Sequence, residues 1–233
     1  MTRATVFPSK FFLMSSIATS IGTSRAQGKA SWRLLALAAA LLLSGCETLV
    51  KDTSRSFHTV VIDAGHGGHD NGTTSRWGGR EKDNTLDVAR RLEPKLEAAG
   101  FRTVMTRRDD TFIPLDRRVS ISNRQSNSIF VSIHFNDTRN RAIRGAEVYY
   151  RSRCSRGIAR KVLTEIVALP GASSRGVKSA SYRVLRRNQY PAVLVECGFM
   201  SNPSEGSRCG SASYRELLAQ AIANGIVTQR HGQ

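Results

Sequence analysis

Three apolar runs end in a residue that can hold a metal or move a proton, and no other feature constrains the chain as much. Val60-Val-Ile-Asp-Ala-Gly-His66 puts a histidine on a glycine-rich turn directly after a β-type run. Ile129-Phe-Val-Ser-Ile-His134 ends in a second histidine, and Ala192-Val-Leu-Val-Glu196 in a carboxylate. Runs this apolar belong inside a sheet. A sheet that ends several strands in His or Glu gathers those side chains at one edge. Glu81 adds a second carboxylate, at the start of a helical pattern. Two imidazoles and one carboxylate suit Zn2+, and a fourth position left to water makes such a site catalytic. The other carboxylate is then free to move protons.

The remaining segments alternate between the two periodicities. Residues 57–63, 101–106, 129–134, 145–150, 182–186 and 192–196 read as strands. Residues 81–99, 115–125, 156–168 and 213–228 read as helices. In the first helix Leu86, Ala89, Leu92, Leu96 and Ala99 recur at three- and four-residue spacing. Gly100 stops it, and Pro94 inside it is expected to kink or divide it. Residues 64–80 hold six glycines and read as a loop. Strands alternating with helices predict an α/β fold: a single domain with a mostly parallel or mixed twisted sheet of about six strands and helices on both faces.

The amino terminus has a different character. Residues 1–33 are basic and polar, residues 34–43 are an unbroken apolar run of ten, and Ser44-Gly45-Cys46 follows. A short apolar core behind positive charge is a secretory signal, since a spanning helix needs roughly 20 apolar residues. Leu43-Ser44-Gly45-Cys46 resembles a bacterial lipobox, with residues 1–45 as the signal peptide, Cys46 as the lipidated residue and residues 46–56 as a tether. Met14 is an alternative start. These features predict a protein on the periplasmic side of a bacterial envelope, lipid-anchored to a membrane, the outer one being expected. Export leaves Cys154, Cys197 and Cys209 in an oxidising compartment. Three is odd, so at most one internal pair forms; Cys197 reads as a buried thiol and Cys154–Cys209 as the expected bridge.

The net charge is +17. Five basic and no acidic residues fall in residues 1–46, which leaves thirty against eighteen, or +12, for the rest. A surface this basic favours an anionic partner, either envelope polymers or lipid head groups. Aromatic residues are only 7% and do not interleave with basic clusters, so a stacking platform for nucleic acid is not indicated, and the export signal argues against nucleic acid altogether.

Five motifs in fixed order carry a family resemblance: Val61-Ile-Asp-Ala-Gly-His-Gly-Gly-His-Asp70, Arg80-Glu-Lys-Asp83, Ser132-Ile-His-Phe-Asn136, Arg144-Gly-Ala-Glu147 and Pro191-Ala-Val-Leu-Val-Glu-Cys-Gly-Phe-Met-Ser-Asn-Pro203. Across residues 59–227 the chain resembles the zinc-dependent N-acetylmuramoyl-L-alanine amidases of the type 3 catalytic-domain family, which sets the expected catalytic domain at residues 57–231. The resemblance implies a Zn2+ site of His66, Glu81 and His134, with Glu196 as the catalytic carboxylate. It implies peptidoglycan as substrate, cut at the amide between the lactyl group of N-acetylmuramic acid and L-alanine of the stem peptide. A monomer is expected. Asp63 is a candidate to orient His66, and Asn136 to touch substrate. His69 is expected to point away from the metal or toward substrate, and His58 and His231 carry no motif.

Two departures stand out. Some relatives insert a helix that blocks the zinc. Here residues 151–175 are filled by the ordinary helix at 156–168, so an open site is expected. Cys197 stands beside Glu196 where an aliphatic residue is expected. The rivals are a zinc carboxypeptidase-like hydrolase, whose His-x-x-Glu is absent because residue 69 is His, and a non-catalytic wall-binding lipoprotein, which would have lost a ligand.

Overall fold

The computed structural model describes residues 49–232. The signal peptide, the lipobox with Cys46 and the alternative start Met14 lie outside the described residues. Among the described residues no helix is long and apolar enough to cross a membrane.

The core of the fold is β1 (Thr59–Ala64), every residue of which is buried. It pairs in parallel with β4 (Arg102–Met105) on one side and β5 (Ser128–Asn136) on the other. β8 (Ala192–Phe199) continues the parallel run beyond β5. β6 (Ala146–Tyr150) then turns antiparallel to β8, and β7 (Ser174–Ser179) pairs in parallel with β6 at the edge. The spatial order is β4-β1-β5-β8-β6-β7, a six-stranded mixed sheet. β2 (Thr74–Ser75) and β3 (Gly79–Arg80) form a small separate ribbon inside the glycine-rich loop.

Alternation along the strands sends side chains to two faces. Val60, Ile62, Ile129, Val131, Ile133, Val193 and Val195 join the larger cluster. It is covered by α1 (Glu81–Ala98), α3 (Arg156–Val167) and α6 (Ala212–His231). Val61, Phe130 and Leu194 face α2 (Leu115–Asn123) and the short α4 (Arg183–Arg186). α3 and α6 cross closely at Gly225, where a Cβ would lie 2.6 Å from the backbone of Val162. α5 (Pro203–Cys209) packs after β8, capped by Asn202, whose side chain accepts from the Glu205 N–H. Helices thus cover both faces of the sheet, as the alternation predicts.

Three expectations are corrected. Residues 182–186 are not a strand: Val184 and Leu185 are the buried face of α4. The sixth strand is instead β7, Ser-Arg-Gly-Val-Lys-Ser, which is largely exposed, as suits an edge strand that carries Lys and Gly. Pro94 does not divide α1, which runs unbroken with Leu92 and Leu96 fully buried on either side of it; that anchoring offsets the hydrogen bond the proline removes. The bridge Cys154–Cys209 is absent, and Cys154, Cys197 and Cys209 are free thiols. Cys154 lies in the 3-10 turn Arg153–Ser155 beside the Ser152 hydroxyl. Cys209 is buried at the end of α5, facing Gly198 of β8.

Candidate active site

Parallel pairing aligns the carboxyl ends of β1, β5 and β8. Ala64 stands opposite Ile133, and His134 opposite Glu196. Each apolar run therefore delivers its terminal polar residue to the same edge, the side on which ligands bind in open α/β sheets.

His66 follows β1 in a left-handed conformation, φ 60°, one that non-glycine residues rarely adopt. Two buried guanidinium groups hold it there. Arg118 donates to the carbonyl of His66 (2.6 Å) and of Ala64 (2.6 Å). Arg107 donates to the carbonyls of Ala64 (3.0 Å) and Gly65 (2.8 Å). Gly65 must lack a side chain, because a Cβ would sit 2.4 Å from the His134 ring. Gly72, at φ 61°, leaves room in the same way for Glu81, whose Oε2 would be 2.5 Å from a Cβ.

Glu81 is the first residue of α1 and is buried. Its Oε1 lies 3.0 Å from both His66 Nε2 and His134 Nδ1 and accepts from the Phe135 N–H. Its Oε2 accepts from the Thr73 N–H at 2.9 Å. Burial alone would raise the Glu81 pKa, but hydrogen bonds and charge from His134 and His66 hold it well below the ordinary carboxylate range. For His66, burial works against the charged form, yet Glu81 and Asp70 outweigh it and raise the pKa.

The ligand atoms of His66, Glu81 and His134 all lie within 4.8 Å of one another. Donors at about 2.0–2.1 Å from a tetrahedral zinc stand about 3.3 Å apart, close to the 3.0 Å contacts seen here. Glu196 supplies a further sign. Its Oε2 is buried without a hydrogen-bond partner, a costly state for a polar atom unless a ligand or water meets it. Burial pushes the Glu196 pKa up to about 7; His134 opposes the shift, and Glu81 and Glu147 add to it. The residues fit a metal ion with a carboxylate of intermediate acidity beside it.

The sequence offers Asp63 as a candidate to orient His66, and the structure gives that contact to Asp70, whose Oδ2 is 2.9 Å from His66 Nδ1. Asp63 acts at one remove. Buried, it pairs with Arg118 (2.7 Å) and accepts from Thr106 (2.6 Å) and Ser132 (2.7 Å). Through Arg118 it steadies the His66 turn. Asp70 was legible as the last residue of the first motif, since metal imidazoles commonly donate their second nitrogen to a carboxylate. Arg107 and Arg118 lie in loop and helix sequence and carry no motif. Asn136 uses its Oδ1 to accept from the Asp137 N–H and its carbonyl to accept from the Met200 N–H. His69 lies outside the cluster against Phe112, ring centroids 4.1 Å apart and planes tilted by 39°.

On the His66 side the cluster opens into a cavity of about 420 Å3 with apolar walls from Phe112, Ile113, Leu115, Tyr182 and Leu194. A second, basic pocket lies where the segments carrying Glu81 and His134 continue, beyond Thr73 and Asn136.

Fold and site together define a class: α/β proteins that carry a His–Glu–His metal-type cluster at the carboxyl edge of a central sheet, with a free carboxylate beside it. Residues 60–228 match the family described as N-acetylmuramoyl-L-alanine amidase, and the chain belongs to that family. It is 38% identical over 200 residues to the uncharacterized protein YqiI of Bacillus subtilis, covering 84% of this chain and 95% of that one. It is 36% identical to the N-acetylmuramoyl-L-alanine amidase LytC of Bacillus subtilis over 73% of this chain, a match that spans 35% of LytC. Among solved structures, the N-acetylmuramoyl-L-alanine amidase AmiC2 of Nostoc punctiforme superimposes with a TM-score of 0.71 at 38% identity, over 73% of this chain and 95% of that one.

Proposed function

We propose that this chain is a zinc-dependent N-acetylmuramoyl-L-alanine amidase, cleaving the amide between N-acetylmuramic acid and L-alanine in peptidoglycan. The observation that carries this reading is the partnerless buried Oε2 of Glu196 beside the His66–Glu81–His134 cluster. His66, Glu81 and His134 would hold the zinc, which when bound supplies Lewis acidity to the attacking water and the amide carbonyl.

The chain's own groups do the rest. Glu196, with a pKa near neutrality, accepts the proton of the attacking water at its carboxylate and returns it to the leaving nitrogen of L-alanine. Asp70 fixes the ring plane and tautomer of His66 by accepting from Nδ1, which leaves Nε2 turned to the cluster. The peptide N–H groups of Thr73 and Phe135 fix the Glu81 carboxylate. The apolar walls of the cavity beside His66 suit the uncharged lactyl and acetyl groups of the glycan.

Export as a lipoprotein through Cys46, with the catalytic domain held near its membrane, belongs to the same proposal. Its test is metabolic labelling with a radioactive fatty acid: label should enter the parent and be lost in Cys46→Ala. For the chemistry, the full chain is incubated with purified peptidoglycan and zinc, beside Glu196→Gln, and products are identified by mass spectrometry. Stem peptides beginning at L-alanine, absent with the variant and with chelator, are the expected result. Cleavage elsewhere in the peptide would replace this reading with a carboxypeptidase.

A further inference from the structure

The basic pocket is not used by the mechanism above. It encloses about 540 Å3 and is walled by Arg76, Trp77, Arg139 and Arg141, with Asp137 the one acid among its lining residues. The guanidinium of Arg76 lies over the Trp77 ring at 4.4 Å from the centroid, and that of Arg141 at 5.2 Å. An indole face attracts cations and so gathers two that would otherwise repel. Among the described residues none of these three arginines is in an ion pair, whereas Arg91, Arg108, Arg118, Arg175, Arg183 and Arg215 each have a carboxylate partner. Three positive charges set against one carboxylate, and none of them ion-paired, are a recognition surface for anions, because guanidinium groups bind carboxylates through paired hydrogen bonds.

The walls are fixed. Ser75 donates to the Met200 carbonyl (2.6 Å), the Thr138 N–H donates to Ser201 Oγ (3.0 Å), and Asn202 donates to the Arg141 carbonyl (2.8 Å). These segments are direct continuations of the reactive cluster. Thr74 follows Thr73, whose N–H holds Glu81, and Asp137 begins three residues beyond His134. The cluster therefore has an apolar cavity on the His66 side and an arginine pocket where the Glu81 and His134 segments continue.

We propose, on the strength of the amidase reading, that the arginine pocket binds the carboxylates of the stem peptide. The peptide half of the substrate then lies over Trp77 and the glycan half over the apolar cavity, and the pocket selects acidic over amidated stem peptides.

The test uses the full chain, zinc-loaded, and two free tripeptides, L-alanyl-γ-D-glutamyl-diaminopimelate and its fully amidated counterpart. Binding is followed by calorimetry for the parent, Arg76→Gln and Arg141→Gln. In parallel, cleavage of the muramyl-linked forms of both peptides is measured. Both arginine side chains are exposed, so the fold does not depend on them. The acid should bind about tenfold more tightly than the amide, the scale set by one good charge-assisted contact. Each variant should close that gap and raise KM for the acid form, with kcat little moved. Equal binding of acid and amide by the parent, no binding of the acid, or a gap that survives both variants would overturn the pocket. The two readings separate cleanly. Cleavage at the muramyl–alanine bond with equal binding leaves the amidase and removes the pocket. Arginine-dependent binding without that cleavage leaves the pocket and removes the amidase.

Discussion

Replacing Asp63 by Asn should destabilise this protein more than any conservative change at the reactive cluster itself. Asp63 and Arg118 are 1% and 3% exposed in their side chains and 2.7 Å apart. Asn keeps the shape and an acceptor for Thr106 or Ser132 but removes the charge that balances Arg118. Breaking a buried pair from one side costs about 3–5 kcal/mol, because a charge is left buried without its partner. For a domain of this size about 1 kcal/mol moves Tm by roughly 2–4 °C, so Asp63→Asn should lower Tm by roughly 6–20 °C. The cost should not equal the worth of the pair. In Asp63→Asn/Arg118→Met both charges are gone, though the carbonyls of Ala64 and His66 lose a donor, so the double variant should cost clearly less than the two single variants added together. Urea unfolding of the parent, both single variants and the double variant gives the cycle. A single variant within about 1 kcal/mol of the parent would refute the reasoning, because the pair would then not be desolvated in the sense argued.

Other perturbations test the site more directly. Gly65→Ala drives a methyl to 2.4 Å from the His134 ring; bound zinc, measured by mass spectrometry of the native protein, should fall well below one per chain while the far-ultraviolet circular dichroism stays that of the parent. Asp70→Asn removes the carboxylate from His66 Nδ1 and should weaken zinc binding by about 10–100-fold in a competition titration with a chelating dye. Glu147 is buried; burial would raise its pKa, but Lys178, Tyr149 and Arg175 together hold it below the ordinary value of 4.5. Its ion-pair stabilisation is therefore present above pH 4.5 and lost as pH falls through the lower folded-state value, so Glu147→Gln should flatten the acid limb of a plot of urea midpoint against pH.

Much of this molecule is legible from short stretches of chain. The runs before His66, His134 and Glu196 are apolar because β1, β5 and β8 are buried on both faces, and parallel register then brings their ends together without help from distant sequence. Other parts depend on partners that no local pattern names. β7 exists because β6 offers it an edge, and its own residues favour solvent. Tyr182-Arg-Val-Leu-Arg186 alternates like a strand, yet two buried neighbours satisfy one turn of helix against α2 equally well. Asp63 does not meet the His66 ring because sequence proximity says nothing of strand pleat; its side chain leaves the sheet on the face covered by α2, where it meets Arg118 and Ser132, while Asp70 returns on the turn to meet the ring. The arginine pocket is assembled from residues more than sixty positions apart, and Arg76 and Arg141 look, in sequence, like any two surface arginines.

The carbonyl oxygens of the turn at His66 are held by the buried guanidinium groups of Arg107 and Arg118, and its chain is closed by paired backbone hydrogen bonds between Gly67 and Asp70. The scaffold for the first ligand is thus completed during folding. On the proposed reading of the cluster as a metal site, loss and uptake of the ion would be exchange at a finished surface, separate from synthesis and folding. If the zinc-dependent, envelope-anchored amidase proposed above is right, a cell short of zinc would keep a reserve of intact but silent protein, and restoring the ion would return activity without new translation or refolding.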